Sequence, residues 1–265
     1  MVKEFENKNQ WALILGGSSG LGLASAKKLA QHGCNIIIVH RNSKVSIPAV
    51  EQGFAEIKAM GVEFLSFNED AMHVEKRVIL IEKIKEKLGQ QGKIRVLIHS
   101  IAKGNLKPMA GNEQASLKND DFHLTIESMA ISLYDWTKLL FEKKLFAADA
   151  RVISFTSEGN TRAVKNYAAV SAAKAVLEAI TRNIALEFAP HGIKANCVQA
   201  GVTDTESFRM IPGHEQIKEH AVNRNPFKRL TTPSDVANVV YLLCRDEAAW
   251  INGSIIIADG GEHIS

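Results

Sequence analysis

Seven short apolar runs, at 11–15, 35–40, 62–67, 94–99, 151–155, 194–199 and 254–258, punctuate this chain, and amphipathic stretches of helical length fill most of the intervals between them. That alternation restricts the fold more than any other feature. Runs with few polar positions are strands buried on both faces, and right-handed crossovers between parallel strands place helices on both sides of them. The expected fold is α/β: a doubly wound parallel sheet of about seven strands, of the Rossmann type, with helices on both faces.

A chain of 265 residues with 46% hydrophobic composition can bury one large core. No low-complexity linker, composition break or internal repeat divides it, so 1–265 is expected to form a single domain. The stretch 203–229, which carries Pro and Gly between two periodic segments, reads as a long insertion and a candidate substrate lid. In doubly wound sheets ligands bind beyond the carboxyl ends of the strands, so the chemistry is sought just after each apolar run.

Bulk charge excludes some partners. With 32 basic against 29 acidic residues the net charge is +3, too balanced for a nucleic-acid or membrane-surface binder. The polar start MVKEFENKNQ lacks the apolar run of a secretory signal, and no stretch approaches the roughly 20 apolar residues that span a bilayer, so a cytoplasmic location is expected. Cys34, Cys197 and Cys244 fit neither a disulfide framework nor a metal motif and are expected to be buried thiols; no metal site is expected.

The first apolar run enters Gly16, Gly17, Ser18, Ser19, Gly20, Leu21 and Gly22, and a helical stretch follows at once. Strand, glycine turn and helix together favour a dinucleotide, because glycines let the backbone approach a pyrophosphate whose charge meets free amides and the positive end of the helix dipole. The spacing is not GxGxxG, so the context carries the inference. After the third run, Asp70 is placed to accept a hydrogen bond from an adenine amino group or, alternatively, to cap the next helix. The second run ends in His40, Arg41, Asn42, Ser43 and Lys44, with no acid to bind ribose hydroxyls. Arg41 can instead fork a 2'-phosphate, supplemented by Lys44, which predicts NADPH rather than NADH.

A helix predicted to begin near Asn166 carries Tyr167 and Lys174, seven residues apart. At about 100° per residue the two return almost to one face, about 10 Å apart along the axis. A lysine there can hold a nicotinamide ribose and favour ionisation of a nearby phenol, which then stabilises or protonates an oxyanion.

With these residues in view, the sequence resembles the short-chain dehydrogenase/reductases over nearly its whole length, through LGGSSGLG at 15–22, NYAAVSAAKAVLEA at 166–179, KANCVQAG at 194–201 and NGSIIIADGG at 252–261. Most members place the tyrosine four residues before the lysine; here that position is Val170. A tyrosine seven residues before the lysine is the pattern of the enoyl-acyl-carrier-protein reductases, which the stretch HSIA at 99–102 and Ala200-Gly201 also resemble. The displacement has a chemical reason. Hydride addition to a ketone puts charge on the oxygen of the accepting carbon, whereas addition to the β-carbon of an enoyl thioester puts it on a carbonyl oxygen three bonds away. Moving the phenol about 4.5 Å along the helix suits the second case.

The resemblance further implies that Lys174 holds the ribose, Tyr167 steadies the developing charge, and Ser157 contacts substrate, its alternative being a turn cap. It implies that Ala71, Ser100, Ile101 and Ala102 border the cofactor, that the Thr203 backbone meets the nicotinamide carboxamide, and that Thr205 touches pyrophosphate or carboxamide, unless the threonines only cap their loop. His99 is read as a packed strand-end residue. At 127–130, where many relatives carry an asparagine for a proton relay, the chain has Glu-Ser-Met-Ala. That departure weighs against a carbonyl reductase more than against an enoyl reductase, whose final protonation can draw on solvent along Lys174.

Within 207–230, apolar Phe208, Met210, Ile211 and Ile217 alternate with Arg209, Lys218, Arg224, Lys228 and Arg229. An apolar lid face can cover an acyl chain while the bases attract an acidic carrier protein, or the bases are simply solvated. The expected activity is NADPH-dependent reduction of a trans-2-enoyl thioester, on acyl carrier protein, in fatty-acid elongation. The alternatives are a carbonyl reductase acting on a ketoacyl thioester or another ketone, and, in another class, a non-catalytic NADPH-sensing module. By resemblance, the Ala-rich helix and the segment from Asn252 onward are self-association surfaces of a homodimer or homotetramer.

Overall fold

The computed structural model describes residues 3–111 and 116–265. Seven strands, β1 (Gln10–Leu15), β2 (Asn35–His40), β3 (Phe64–Asn68), β4 (Lys93–His99), β5 (Phe146–Ser157), β6 (Ile193–Ala200) and β7 (Ile255–Ala258), form one sheet in the order β3-β2-β1-β4-β5-β6-β7. Every neighbouring pair is parallel. The winding direction reverses between β1 and β4, where a Rossmann-type sheet opens its ligand crevice.

Period-2 side-chain alternation builds two cores. Trp11, Leu13 and Leu15 of β1 enter one, with Leu80, Ile81 and Ile84 of α3 (Val74–Leu88), Leu133 and Trp136 of α5 (Ser132–Glu142) and Leu177 and Ile184 of α6 (Ala168–Glu187). Ala12 and Ile14 enter the other, with Ala26 and Leu29 of α1 (Gly20–Gln31), Phe54 and Ile57 of α2 (Ile47–Lys58) and Val236 and Val240 of α9 (Pro233–Cys244). The three cysteines are free and buried, and no helix among the described residues is long and apolar enough to cross a membrane.

Two elements depart from expectation. β3 begins two residues later than the apolar run, and β5 begins five residues earlier. The sequence hides the start of β5 because Ala and Asp are poor strand formers. Its ladder with β4 is irregular there, resuming at Val96–Arg151 after Ile94–Phe146. Asp149 in this stretch is ion-paired to Arg95, Arg151 and, at 2.6 Å, Lys194, so tertiary ion pairing takes over where propensity is weak.

The helix on the far side of the crevice is broken in a way the sequence does not announce. α4 (Asn119–Ile126) widens into a π-helical turn over Glu127–Ile131 before α5 begins. Such turns re-aim side chains and occur often at functional sites. Met129 from this turn lines the cleft, and Ser132 just after it reaches His99. The stretch 203–229 forms α7 (Glu206–Arg209) and α8 (His214–Arg224), and a capping box between Thr232 and Asp235, with Pro233 in the first turn, starts α9 directly behind it.

Candidate active site

A cleft of about 960 Å³ opens beyond the carboxyl ends of the strands and reaches under α7 and α8. That is the upper range for a small-molecule site, roomy enough for a cofactor and a substrate together. Gly16, Ser18, Ser19, Gly20, Leu21, Arg41, Asp70, Ala71, Ser100, Ile101, Ala102, Ser157, Tyr167, Lys174, Thr203 and Thr205 all line it. Gly22 does not; it is a packing glycine, since a Cβ there would lie 2.4 Å from the Gly16 carbonyl oxygen.

The glycine turn fits a dinucleotide. Gly16 has φ +81°, and a Cβ would stand 2.4 Å from the Ser100 carbonyl oxygen, so only glycine lets β1 and β4 end this close together. α1 begins at Gly20, and its N-cap Ser19 makes no side-chain cap hydrogen bond. The first-turn amides thus face the cleft without a protein acceptor from the cap, the arrangement that receives a phosphate. Thr205 stands over the same turn, its Cγ2 3.5 Å from where a Gly20 Cβ would be.

At the other end, Arg41 Nη1 lies 2.9 Å from Asp70 Oδ2, and the Met72 amide donates to Asp70 Oδ1 at 2.9 Å. Burial pushes the Asp70 carboxyl up, but that amide and the charges of Arg41 and Lys103 outweigh it and hold the group below its ordinary value. Asp70 therefore closes a turn before α3 rather than capping the helix, whose cap is His73. Lys44 lies outside the cleft lining, whereas Lys103, which sequence reading missed, is part of it. Trp136 Nε1 donates to the Ala71 carbonyl at 3.0 Å and fixes this wall.

Tyr167 and Lys174 both line the cleft, with one correction to the helix. α6 starts at Ala168, and Tyr167 is its N-cap, with φ −112° and ψ 4°. Asn166, in the left-handed region at φ +63°, turns the chain just before it. The phenol ring crosses Gly159 so closely that a Cβ there would be 2.7 Å from Tyr167 Cε1. Burial raises the Tyr167 pKa, and the nearby Ser157 hydroxyl pulls it back. Ser157 Oγ is buried beside the phenol and makes no cap hydrogen bond, so it is not the turn cap that was the alternative.

Lys174 Nζ is buried and donates to the Phe155 carbonyl at 2.6 Å. Burial brings its pKa down to about 8, against the opposing pull of Cys197 and Glu178. His99 is buried with Nε2 2.7 Å from Ser132 Oγ, and burial, helped by the Lys174 charge, takes its pKa to about 3. It is neutral, as a packed strand-end residue should be. Val170, in the position where most relatives have tyrosine, packs with Met129 and Ala173, and Leu106 and Tyr167 close the same apolar patch.

The threonine hydroxyls are spent locally: Thr203 Oγ1 donates to the Gly201 carbonyl at 2.9 Å, and Thr205 Oγ1 accepts from the Phe208 amide at 3.2 Å. In the lid, Phe208, Ile211 and Ile217 line the cleft, while Met210 points outward, 74% exposed. Its bases are less available than composition implies. Arg209 and Lys218 share Asp204, Arg229 pairs with Asp235, and Arg224 pairs with Glu158 at 2.6 Å and Glu262 at 3.0 Å.

A glycine-walled cradle at the β1 turn and a buried lysine with a phenol beyond β5 define the class: an oxidoreductase of the short-chain dehydrogenase/reductase type. More particularly, the family described as Enoyl-(Acyl carrier protein) reductase matches residues 16–263, and the chain belongs to that family. Peroxisomal 2,4-dienoyl-CoA reductase [(3E)-enoyl-CoA-producing] of Danio rerio is 26% identical over 255 residues, 96% of this chain and 81% of the relative. The 3-oxoacyl-[acyl-carrier-protein] reductase FabG of Staphylococcus epidermidis is 28% identical over 258 residues, 97% of this chain and 100% of the relative. The crystal structure of Enoyl-[acyl-carrier-protein] reductase (NADH) from Aquifex aeolicus VF5 superposes with a TM-score of 0.83 at 25% identity, covering 98% of each chain.

Proposed function

We propose that the protein reduces the carbon–carbon double bond of trans-2-enoyl thioesters with NADPH, on acyl carrier protein, in fatty-acid elongation. The observation that carries this reading is the pairing of Tyr167 with Lys174 in one cleft while Val170 sits in an apolar patch with Met129 and Ala173. A ketone's oxygen would need its proton donor near Val170, and a hydrocarbon side chain offers none. A thioester oxygen three bonds from the hydride's landing point is served by the more distant phenol.

NADPH supplies the hydride when bound. The open amides at the start of α1 would receive its pyrophosphate, and Arg41, paired here with Asp70, would take the 2'-phosphate, since the tip of β2 carries no acid to bind ribose hydroxyls. Lys174, which donates to the Phe155 carbonyl, would hold the nicotinamide ribose, and its positive charge would favour the anionic oxygen that develops beside the protonated phenol. Tyr167 donates to the thioester carbonyl oxygen and steadies the charge that develops there. Phe208, Ile211 and Ile217 cover the acyl chain and keep water from it.

Acyl carrier protein as the carrier rests on the family's description, not on the lid's ion-paired bases. Self-association into a dimer or tetramer is supported by an apolar rim at the β7 edge of the sheet: Trp250 is 99% exposed, and Ile255 and Ile257 are partly so.

A 3-ketoacyl reductase is the second reading, favoured by one observation, the buried Ser157 hydroxyl beside the phenol. Parallel NADPH oxidation with crotonyl and acetoacetyl thioesters separates the two. Faster turnover of the crotonyl thioester is expected, and turnover of the ketone alone overturns the proposal. Tight NADPH binding with turnover of neither would mark a sensing module.

A further inference from the structure

Glu178 is a buried carboxylate that no step above uses. It lies on α6 four residues past Lys174, is 7% exposed, and accepts hydrogen bonds from Thr156 Oγ1 and Asn160 Nδ2. Those two donors bracket the turn that carries Ser157 and Gly159, the latter in contact with the Tyr167 ring. One carboxylate thus ties both flanks of this turn to the helix bearing Lys174.

Burying a carboxylate is costly unless it is well paired, so a neutral glutamine would hold the turn equally well if holding were all that was needed. The charge needs a reason, and the surroundings of Lys174 supply one. The titratable groups facing Lys174 are His99 from β4, Cys197 from β6, and Glu178 and Tyr167 from α6 and its cap. His99 is neutral, and burial raises the Cys197 thiol, so neither brings negative charge near neutrality. Glu178, one turn further along the same helix, is the carboxylate whose charge acts on Lys174.

We infer that Glu178 is a positioning residue with two duties: it sets the Ser157–Gly159 turn against Tyr167, and its charge keeps Lys174 protonated in the working enzyme. The inference rests on Tyr167 and Lys174 as the reaction centre, and not on which acyl group is reduced.

The test is NADPH affinity, read by nicotinamide fluorescence from pH 6.5 to about 10, alongside crotonyl thioester reduction, for wild type, Glu178→Gln, Glu178→Asp and Asn160→Ala. In wild type, affinity falls on the alkaline side as Lys174 loses its proton. In Glu178→Gln this limb moves toward acid by about one pH unit. In Asn160→Ala, which keeps the charge, the limb stays in place and kcat falls severalfold. Glu178→Asp keeps the limb within a few tenths of a unit and loses rate through its shorter reach. A Glu178→Gln limb superimposable on wild type overturns the inference. If that variant does not fold, a limb displaced equally in Glu178→Asp and Asn160→Ala overturns it, because a purely structural disturbance would then explain both. Wild type that binds NADPH but leaves crotonyl thioester untouched defeats the proposed substrate, while the binding limb still decides the role of Glu178.

Discussion

Arg41 and Asp70 are salt-bridged at 2.9 Å on the rim of the cleft, joining the tip of β2 to the turn after β3. The Arg41 side chain is 60% exposed, so the pair contributes little to stability in water. Its value is orientation: it holds a planar guanidinium at the cleft rim, where Lys103 is a second cation acting on the same carboxylate.

Replacing Arg41 with Ala should therefore change cofactor choice and little else. A charge-assisted bidentate contact to phosphate is worth about 1.5–3 kcal/mol, roughly ten- to a hundredfold in affinity. NADPH KM should rise by that factor while NADH KM and Tm stay near wild type. Equal effects on both cofactors would remove Arg41 from the 2'-phosphate site.

Lys174→Met should stabilise the protein while abolishing turnover. Burial lowers the folded-state pKa to about 8, against 10.5 for the free group, so folding carries a penalty wherever the unfolded lysine is charged. That penalty is full below pH 8, shrinks as pH rises toward 10.5, and vanishes above it. The variant's Tm advantage should follow the same course in scans without cofactor. An advantage independent of pH would show that burial of the charge is not its source.

Much of this arrangement was legible beforehand, for identifiable reasons. Strands buried on both faces announce themselves as apolar runs, and a glycine turn between strand and helix has few other uses, so the sheet and the Gly16–Gly20 cradle were readable. Tyr167 and Lys174 were readable from spacing, although the phenol projects from an N-cap rather than from the helix itself. What stayed hidden depends on tertiary partners. The first half of β5 is held by ion pairs to Asp149 rather than by propensity, and the π turn at Glu127–Ile131 has no compositional mark. Lid bases that look free in sequence are tied to Asp204, Glu158, Glu262 and Asp235. Glu178, an ordinary residue in an Ala-rich helix, gains its meaning only once Thr156 and Asn160 are seen to point at it.

Arg224 at the end of α8 joins the lid to two other walls, through Glu158 after Ser157 and through Glu262, whose other oxygen accepts the Val202 amide at 3.1 Å. Its side chain is only 10% exposed, so removing it strands two carboxylates, one of them buried. Arg224→Met should cost about 2–4 kcal/mol in stability and raise substrate KM severalfold as α8 loosens. A Tm within a degree of wild type would contradict the latch.

Gly159→Ala tests the packing under the phenol. The added methyl meets the Tyr167 ring at 2.7 Å, too close for any rotamer to relieve without moving the ring. Since even a 1 Å misplacement can cost about a hundredfold in rate, kcat should fall by one to two orders of magnitude with NADPH affinity unchanged. A wild-type kcat would mean the ring need not rest where it does.

The most direct trial of the whole account is the rate of NADPH-driven crotonyl thioester reduction by Tyr167→Phe, measured beside wild type at saturating cofactor. Loss of one oxyanion donor should lower kcat by about 100- to 1000-fold with NADPH binding intact. A Phe variant as fast as wild type would contradict the assignment of Tyr167 to the developing charge.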